Sequence, residues 1–136
     1  MIFLDKGFLA IDLGASNGKT VLGKINGEKL EFVEVHRFDN LPFDINNNTF
    51  WDFNNLYKNI IISLQKAGRF DDVEIESVGI DSWGVDFGLI DNEGFLLSNP
   101  FHYRNPFKYD FMEEVLNILP KEEIFERCPT QFQPFN

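Results

Sequence analysis

The chain has 136 residues, 43% of them hydrophobic and 25% charged, with a formal net charge of −10; that size allows at most one ordinary domain, and that composition a folded core. The charge is uneven, 8 Lys+Arg against 8 Asp+Glu in residues 1–69 but 4 against 14 in residues 70–136; an acidic half argues against a nucleic-acid partner and for carboxylates on solvated surfaces. The single cysteine, Cys128, excludes an internal disulfide or a multi-cysteine metal site, no apolar run reaches the roughly 20 residues that span a bilayer, and the start lacks signal-peptide order, so a cytoplasmic protein without a membrane partner is expected.

The first predicted strand covers residues 8–13 and ends in Asp12-Leu13. A bend of small residues, Gly14 to Gly18, leads into a second strand near residues 20–25. Asn26-Gly27 is a hairpin signal and predicts a third antiparallel strand from Lys29 to Phe38. Its apolar residues Leu30, Phe32, Val33 and Val35 shift phase midway, as a bulge or a strand covered on both faces requires. Residues 39–50, rich in Asn and Asp with Pro42, predict an exposed loop. Asp52 is a helix N-cap, and Leu56, Ile60, Leu64 and Ala67 form one apolar stripe ending at Gly68.

Residues 75–81 predict the next strand. A hairpin follows, from Gly84 to Ile90 and Phe95 to Leu97 around a turn at Asp91–Gly94. Asn105-Pro106 supplies an N-cap and first residue for a second long helix, with Phe107, Phe111, Val115, Leu116 and Leu119 as its buried stripe and Pro120 as its stop. A short helix over Lys121–Arg127 comes next. Most of the sixteen phenylalanines are expected in the core, and the tail Gln133-Pro134-Phe135-Asn136 ends without a closing element.

The bend between the first two strands carries the most chemistry. Gly14, Ala15, Ser16 and Gly18 have little or no side chain, so an anion can approach the backbone N–H groups. Lys19 adds positive charge, and Asp12 can hold a divalent cation directly or through water. An ordinary hairpin, with glycine for positive φ and Asp12 as a turn former, stands as the plainer alternative. Gly14-x-x-x-Gly18-Lys19-Thr20 falls one residue short of a Walker loop.

The second constellation is Val78-Gly79-Ile80-Asp81-Ser82-Trp83-Gly84-Val85-Asp86-Phe87, at a strand's carboxyl end, where ligands of open α/β sheets collect. Trp83 can stack on a sugar face, Asp86 can accept from hydroxyls, and Gly84 lets a substrate approach the backbone. A rim aromatic, a solvent-facing carboxylate and, for Asp81, a strand-end cap are equally open. Arg104 can bind hydroxyls, pair with Asp86 or simply lie on the surface. His36 and His102 stand alone, the first without catalytic duty and the second as a loop group, and Cys128 has no base beside it and reads as a structural thiol.

The order β-β-β-α-β, then a hairpin, then α fits the actin-like ATPase (ribonuclease H-like) architecture, an α/β fold whose mixed sheet starts with three antiparallel strands. It fits doubly wound dinucleotide folds poorly, because there the glycine-rich turn opens a helix. The chain resembles the FGGY carbohydrate kinases, and within them the rhamnulokinase branch. The resemblance rests on Ile11 to Lys19, His36-Arg37-Phe38, Trp51-Asp52, Gly79 to Phe87, Tyr103-Arg104 and Gln131 to Asn136. Two residues depart from the family pattern: Lys19 stands where Arg is usual, which loses the planar bidentate geometry, and Asn105 stands where Asp often follows Tyr-Arg.

The resemblance implies ATP-dependent phosphorylation of L-rhamnulose at its C1 hydroxyl. It implies that Ala15, Ser16, Asn17, Gly18 and Lys19 cradle ATP phosphates, that Asp12 helps place Mg²⁺, and that Gly84 touches the sugar, with Trp83, Asp86 and Arg104 as weaker candidates. In that family the catalytic aspartate, a sugar-binding histidine and the adenine pocket lie further along a longer chain. Residues 1–136 are therefore expected to be the incomplete N-terminal part of the first lobe, inactive alone. The rival readings are a kinase for xylulose, fuculose or glycerol, an actin-like nucleotide-binding module without sugar chemistry, and a non-catalytic product whose exposed sheet edge pairs with a second copy.

Overall fold

The computed structural model describes residues 4–107 and 111–133, and they form two compact units, Met1–Phe43 with Trp51–Gly84, and Asp44–Phe50 with Val85–Asn136. The first unit holds β1 (Asp5–Leu13), β2 (Asn17–Asn26), β3 (Lys29–Asp39), and, after the short strands β4 (Phe43–Ile45) and β5 (Asn48–Phe50), helix α1 (Phe53–Ala67) and β6 (Val73–Ser82). The sheet order is β3-β2-β1-β6. β1 pairs antiparallel with β2 and parallel with β6. This is the mixed sheet with three antiparallel leading strands that the sequence predicts.

Alternation along β1 sends Leu9, Ile11 and Leu13 into the core. Leu9, Leu22 and Val73 pack with Ala67 of α1, and Val35, Phe70 and Ile75 close around them. Gly27, at φ +62°, makes the β2–β3 turn that Asn26-Gly27 predicts. The phase shift in β3 is a bulge: Thr20 pairs with His36 but Val21 with Glu34, so Val35 is the extra residue. β6 carries a second bulge, where its register skips Glu76 between Ile75 and Ser77. That slip puts Val73, Ile75, Val78 and Ile80 on one face despite their uneven spacing.

Helix α1 begins where expected, with the Asp52 carboxylate accepting from the Asn55 N–H at 3.0 Å. Its buried line is a correction. Asn59, Ser63 and Ala67 are buried, whereas Leu56 and Ile60 are partly so and Leu64 is exposed. The reason lies beneath the helix: buried Thr20 donates to Ser63 Oγ at 2.7 Å, and Ser63 donates to the Asn59 carbonyl at 2.9 Å. His36 Nε2 lies 2.9 Å from Asn59 Oδ1, and its Nδ1 lies 2.9 Å from Lys66 Nζ. Polar partners on β2 and β3 turn the polar side of α1 toward themselves.

Other expectations fail more simply. Residues 39–50 are not an open loop: Asn40 is buried, and β4 and β5 form a two-stranded sheet around Asn46 and Asn47, both at positive φ. In the second unit the Asp91–Gly94 turn forms, with Asp91 Oδ1 accepting from the N–H groups of Glu93 and Phe95. Its flanks, however, shrink to one bridge, Ile90 to Leu96. Among the described residues Asn105 caps no helix; it accepts from the Thr49 N–H at 2.6 Å and donates to Asn48 Oδ1 at 3.2 Å, pinning β5. Residues 108–110 of the expected long helix and Pro134–Asn136 of the tail lie outside the described residues.

α2 (Phe111–Ile118) has no buried residue, and α3 (Lys121–Arg127) follows Pro120 as predicted. Phe111 and Val115 are about half exposed. Among the described residues no phenylalanine is buried, and Cys128 is an exposed free thiol. No helix among the described residues is long and apolar enough to cross a membrane.

Thr20 and Ser63 give a direct stability test. Ser63→Ala leaves a fully buried hydroxyl without its acceptor and costs about 1–3 kcal/mol, whereas the Thr20→Val/Ser63→Ala pair recovers most of that loss. Urea unfolding of the four chains measures it. Additive losses would show that the two hydroxyls do not act as a pair.

Candidate functional site

β1 and β2 are joined by a bend that no helix follows. Its first N–H, of Gly14, donates to the Asn17 carbonyl at 2.9 Å, and Ala15, Ser16 and Asn17 lie exposed. Asn40 clamps the bend from behind. Its backbone N–H donates to the Ser16 carbonyl at 3.0 Å and its side-chain amide to the Gly14 carbonyl at 2.9 Å. The carbonyls are thereby tied inward while the tip stays open to solvent. Gly18 has a packing role: a Cβ there would meet the Phe38 ring at 2.2 Å.

The register sets the charges around this bend. Lys19 pairs with Asp12 across β2 and β1, and Asp12 pairs with Asp81 across β1 and β6. The three side chains share the sheet face opposite α1. Lys19 Nζ lies 3.1 Å from Asp12 Oδ2, with the two side chains 41% and 50% exposed, so the ion pair is weak and readily exchanged. Asp81 was read from sequence only as a strand-end residue. The signal that would have found it is the repeated Ile-Asp at two strand ends, Ile11-Asp12 and Ile80-Asp81. Asn40, inside a presumed loop, gave no signal.

Trp83, also in the first unit, packs against Trp51 with ring centroids 4.5 Å apart and the ring planes tilted by 45°. A Cβ at Gly84 would meet nothing within 4 Å. The chain then passes Val85, whose φ of +72° is strained for a β-branched residue. In the second unit Asp86 lines a cavity of about 460 Å³ together with Ser98, Asn99, His102 and Tyr103. Asn99 Oδ1 is buried there and finds no hydrogen-bond partner among the described residues. Arg104 lies outside that lining, with its guanidinium 5.1 Å from the centroid of the Tyr103 ring. Asp12 and the bend thus fall in one unit with Trp83 and Gly84, and Asp86 and Arg104 in the other.

No protein-family model matches the chain. In sequence it is similar to the rhamnulokinase of Oceanobacillus iheyensis, 39% identical over 128 residues, covering 94% of this chain and 27% of the relative. It is also similar to that of Bacillus subtilis, 36% identical over 129 residues, covering 95% and 26%. The chain spans about a quarter of the length of the curated relatives it matches. Among solved structures, a gluconate kinase from Lactobacillus acidophilus superposes with a TM-score of 0.71 at 15% identity, covering 90% of this chain and 24% of that one. Plasmodium falciparum glycerol kinase with ADP gives 0.70 at 18% identity, covering 96% and 27%. The fold is therefore the actin-like ATPase fold of the FGGY sugar kinases, and the likeness to rhamnulokinases runs along nearly the whole chain.

His102 supplies a pH test of the second unit. It is 8% exposed, and burial pushes its pKa down, opposed by the Asp86 and Asp44 carboxylates and helped by Arg104. Its Nδ1 accepts from the Arg104 N–H at 3.0 Å, which fits the neutral ring. A histidine held below its ordinary value binds fewer protons folded than unfolded, so its stability contribution is present above pH 6.5 and is lost as pH falls through the lowered folded value. Melting followed by near-ultraviolet circular dichroism should show this loss, and His102→Gln should flatten it. An unchanged pH profile in the variant would exclude His102 as its source.

Proposed function

We propose that the chain is the phosphate-binding part of the first lobe of a rhamnulokinase, and that the activity of the longer polypeptide is ATP-dependent phosphorylation of L-rhamnulose at C1. One observation carries the reading: an open, externally clamped bend between two antiparallel strands, flanked by an exchangeable Asp12–Lys19 ion pair. The similarity to rhamnulokinases across 94% of the chain supports the choice of substrate.

In this reading the backbone N–H groups of the exposed residues Ala15, Ser16 and Asn17 donate to phosphate oxygens, and Gly18 keeps β2 close beneath Phe38. Lys19, whose ion pair with Asp12 is exposed, turns its charge to the incoming phosphate. Asp12, with Asp81 beside it in register, would hold Mg²⁺. Two carboxylates are hard oxygen donors that suit this ion, which normally completes its shell with water and phosphate oxygens. No group of three or more such side chains is present among the described residues to bind an ion by itself. When bound, Mg²⁺ neutralises charge on the phosphates.

The open backbone at Gly84 admits the sugar, and in the second unit Asp86 is a candidate acceptor for hydroxyls. Trp83, packed against Trp51, stiffens the strand end that precedes Gly84. Arg104 is a peripheral hydroxyl or charge partner. The base that takes the C1 proton belongs to the remainder of the kinase, so the 136 residues alone do not turn over sugar.

A chimera tests this. These residues replace the matching segment of the O. iheyensis enzyme, and phosphorylation of L-rhamnulose, L-fuculose, D-xylulose and glycerol is compared. L-Rhamnulose should give the highest kcat/KM, with Asp12→Asn lowering it by about 10²-fold or more. Preference for another of these sugars overturns the substrate, and indifference to Asp12→Asn overturns its role.

A further inference from the structure

Glu34 and Arg37 stand three residues apart on β3, and in an unbroken strand that spacing would point them to opposite faces. The bulge at Val35 changes this. Glu34 pairs with Val21 and Arg37 with Lys19, so both take the face that carries Asp12. The charged row therefore crosses the whole sheet, as Arg37 on β3, Lys19 on β2, Asp12 on β1 and Asp81 on β6. The same extra residue sends His36 to the seam beneath α1.

A fork fixes the plane of the Arg37 guanidinium. Its Nε donates to Glu34 Oε1 at 3.1 Å and its Nη2 to Oε2. That hydrogen bonding holds the Glu34 carboxyl below its ordinary value, and the Lys19 charge acts in the same direction. Nη1 is left to donate to Asn17 Oδ1 at 3.5 Å, a long contact assisted by the charge. Asn17 Nδ2 in turn donates to Ser16 Oγ at 3.2 Å. The first member dictates the polarity of this chain, because a guanidinium has donors only. It draws the amide oxygen of Asn17 toward itself, which leaves the amide nitrogen toward Ser16. Ser16 Oγ then accepts, and its own proton stays available to an outside acceptor at the exposed tip of the bend.

We propose that Arg37 is a positioning residue of the phosphate site, which acts through Asn17 to present the Ser16 hydroxyl as a donor to a phosphate oxygen. Phosphate oxygens fit this polarity, since they accept and do not donate when ionised. Asn40 ties the carbonyls of the bend from behind, whereas Arg37 orders the side chains at its tip, so the two clamps do not duplicate each other. Without Arg37 the Asn17 amide is free to turn over and take up the Ser16 proton. Lysine cannot stand in, because an ammonium lacks the planar fork that spans Glu34 and Asn17. The inference rests on the phosphate-binding reading, but it is also legible without catalysis.

In the chimera with the O. iheyensis enzyme, Arg37→Met should raise KM for ATP about tenfold and leave KM for L-rhamnulose within about twofold. Arg37→Lys should do the same. In a Ser16→Ala background Arg37→Met should add little, because the relay ends at that hydroxyl. An unchanged KM for ATP, full rescue by lysine or additive losses would each overturn the proposal. Glu34→Gln, which loosens the fork, should shift KM for ATP in the same direction and keeps the test decisive if circular dichroism shows Arg37→Met misfolded. Binding is read separately by titrating the 136-residue chain with inorganic triphosphate and following the amide resonances of Ala15, Ser16 and Asn17 by NMR. Arg37→Met should weaken that binding about tenfold. If the chimera phosphorylates no sugar but the titration still depends on Arg37, the kinase reading falls and the relay stands. A titration that ignores Arg37, or that moves none of these amides, removes the relay whatever the chimera does.

Discussion

The double pairing of β1 is the constraint on which the first unit depends. Antiparallel to β2 and parallel to β6, it fixes three strands in one register. Alternation does the rest: Leu9, Ile11 and Leu13 go to the helix side, while Asp12 goes to the other face between Lys19 and Asp81. A one-residue slip would exchange those faces, burying a carboxylate and exposing Ile11. The core and the charged row are thus two consequences of the same register, and neither can be moved without the other.

A second constraint is the polar seam beneath α1. Burying Thr20, Ser63 and Asn59 is tolerable because each is hydrogen-bonded, Thr20 to Ser63, Ser63 to the Asn59 carbonyl, and Asn59 to His36. Such a seam fixes the position of the helix more sharply than apolar contact does, since hydrogen bonds are directional and hydrophobic burial is not. Its consequence is the exposed flank of α1 at Leu64. A helix centred on its apolar stripe would sit closer to β6, at the cost of leaving buried hydroxyls unpaired.

What the sequence revealed follows from the range of the forces involved. The three leading strands, the Asn26-Gly27 turn, the Asp52 cap, the Asp91–Gly94 turn and α3 are set by neighbours a few residues apart, and all are present. The buried line of α1 was misjudged because apolar periodicity speaks of water avoidance and cannot see Thr20 or His36 across the sheet. Asn105 was misjudged for the same reason, its side chain being spent on Asn48 and Thr49, more than fifty residues earlier. The phenylalanines mislead most: composition suggests a large core, but Phe32 and Phe87 are among the most exposed residues. At the site, the bend was legible as a run of small residues, whereas Asn40 and the Asp12–Asp81 neighbour relation exist only through pairing.

In the phosphate-binding role proposed above, the Asp12–Lys19 contact keeps the turn from being locked by its own charges. A deeply buried ion pair would have to be broken at a cost of several kcal/mol before Lys19 could face an anion. Half-exposed on both sides, this pair is worth at most about 1 kcal/mol, because water and salt replace each partner. An exposed contact of this kind is readily replaced by water and salt, as the proposed role of Lys19 requires. Asn40 supplies the opposite property. Buried and bonded to two carbonyls of the bend, it fixes the backbone in advance, so little ordering remains for a ligand to bring about. For the proposed role, a backbone fixed in advance beside a lightly paired cation is the arrangement that needs the least reorganisation to take an anion.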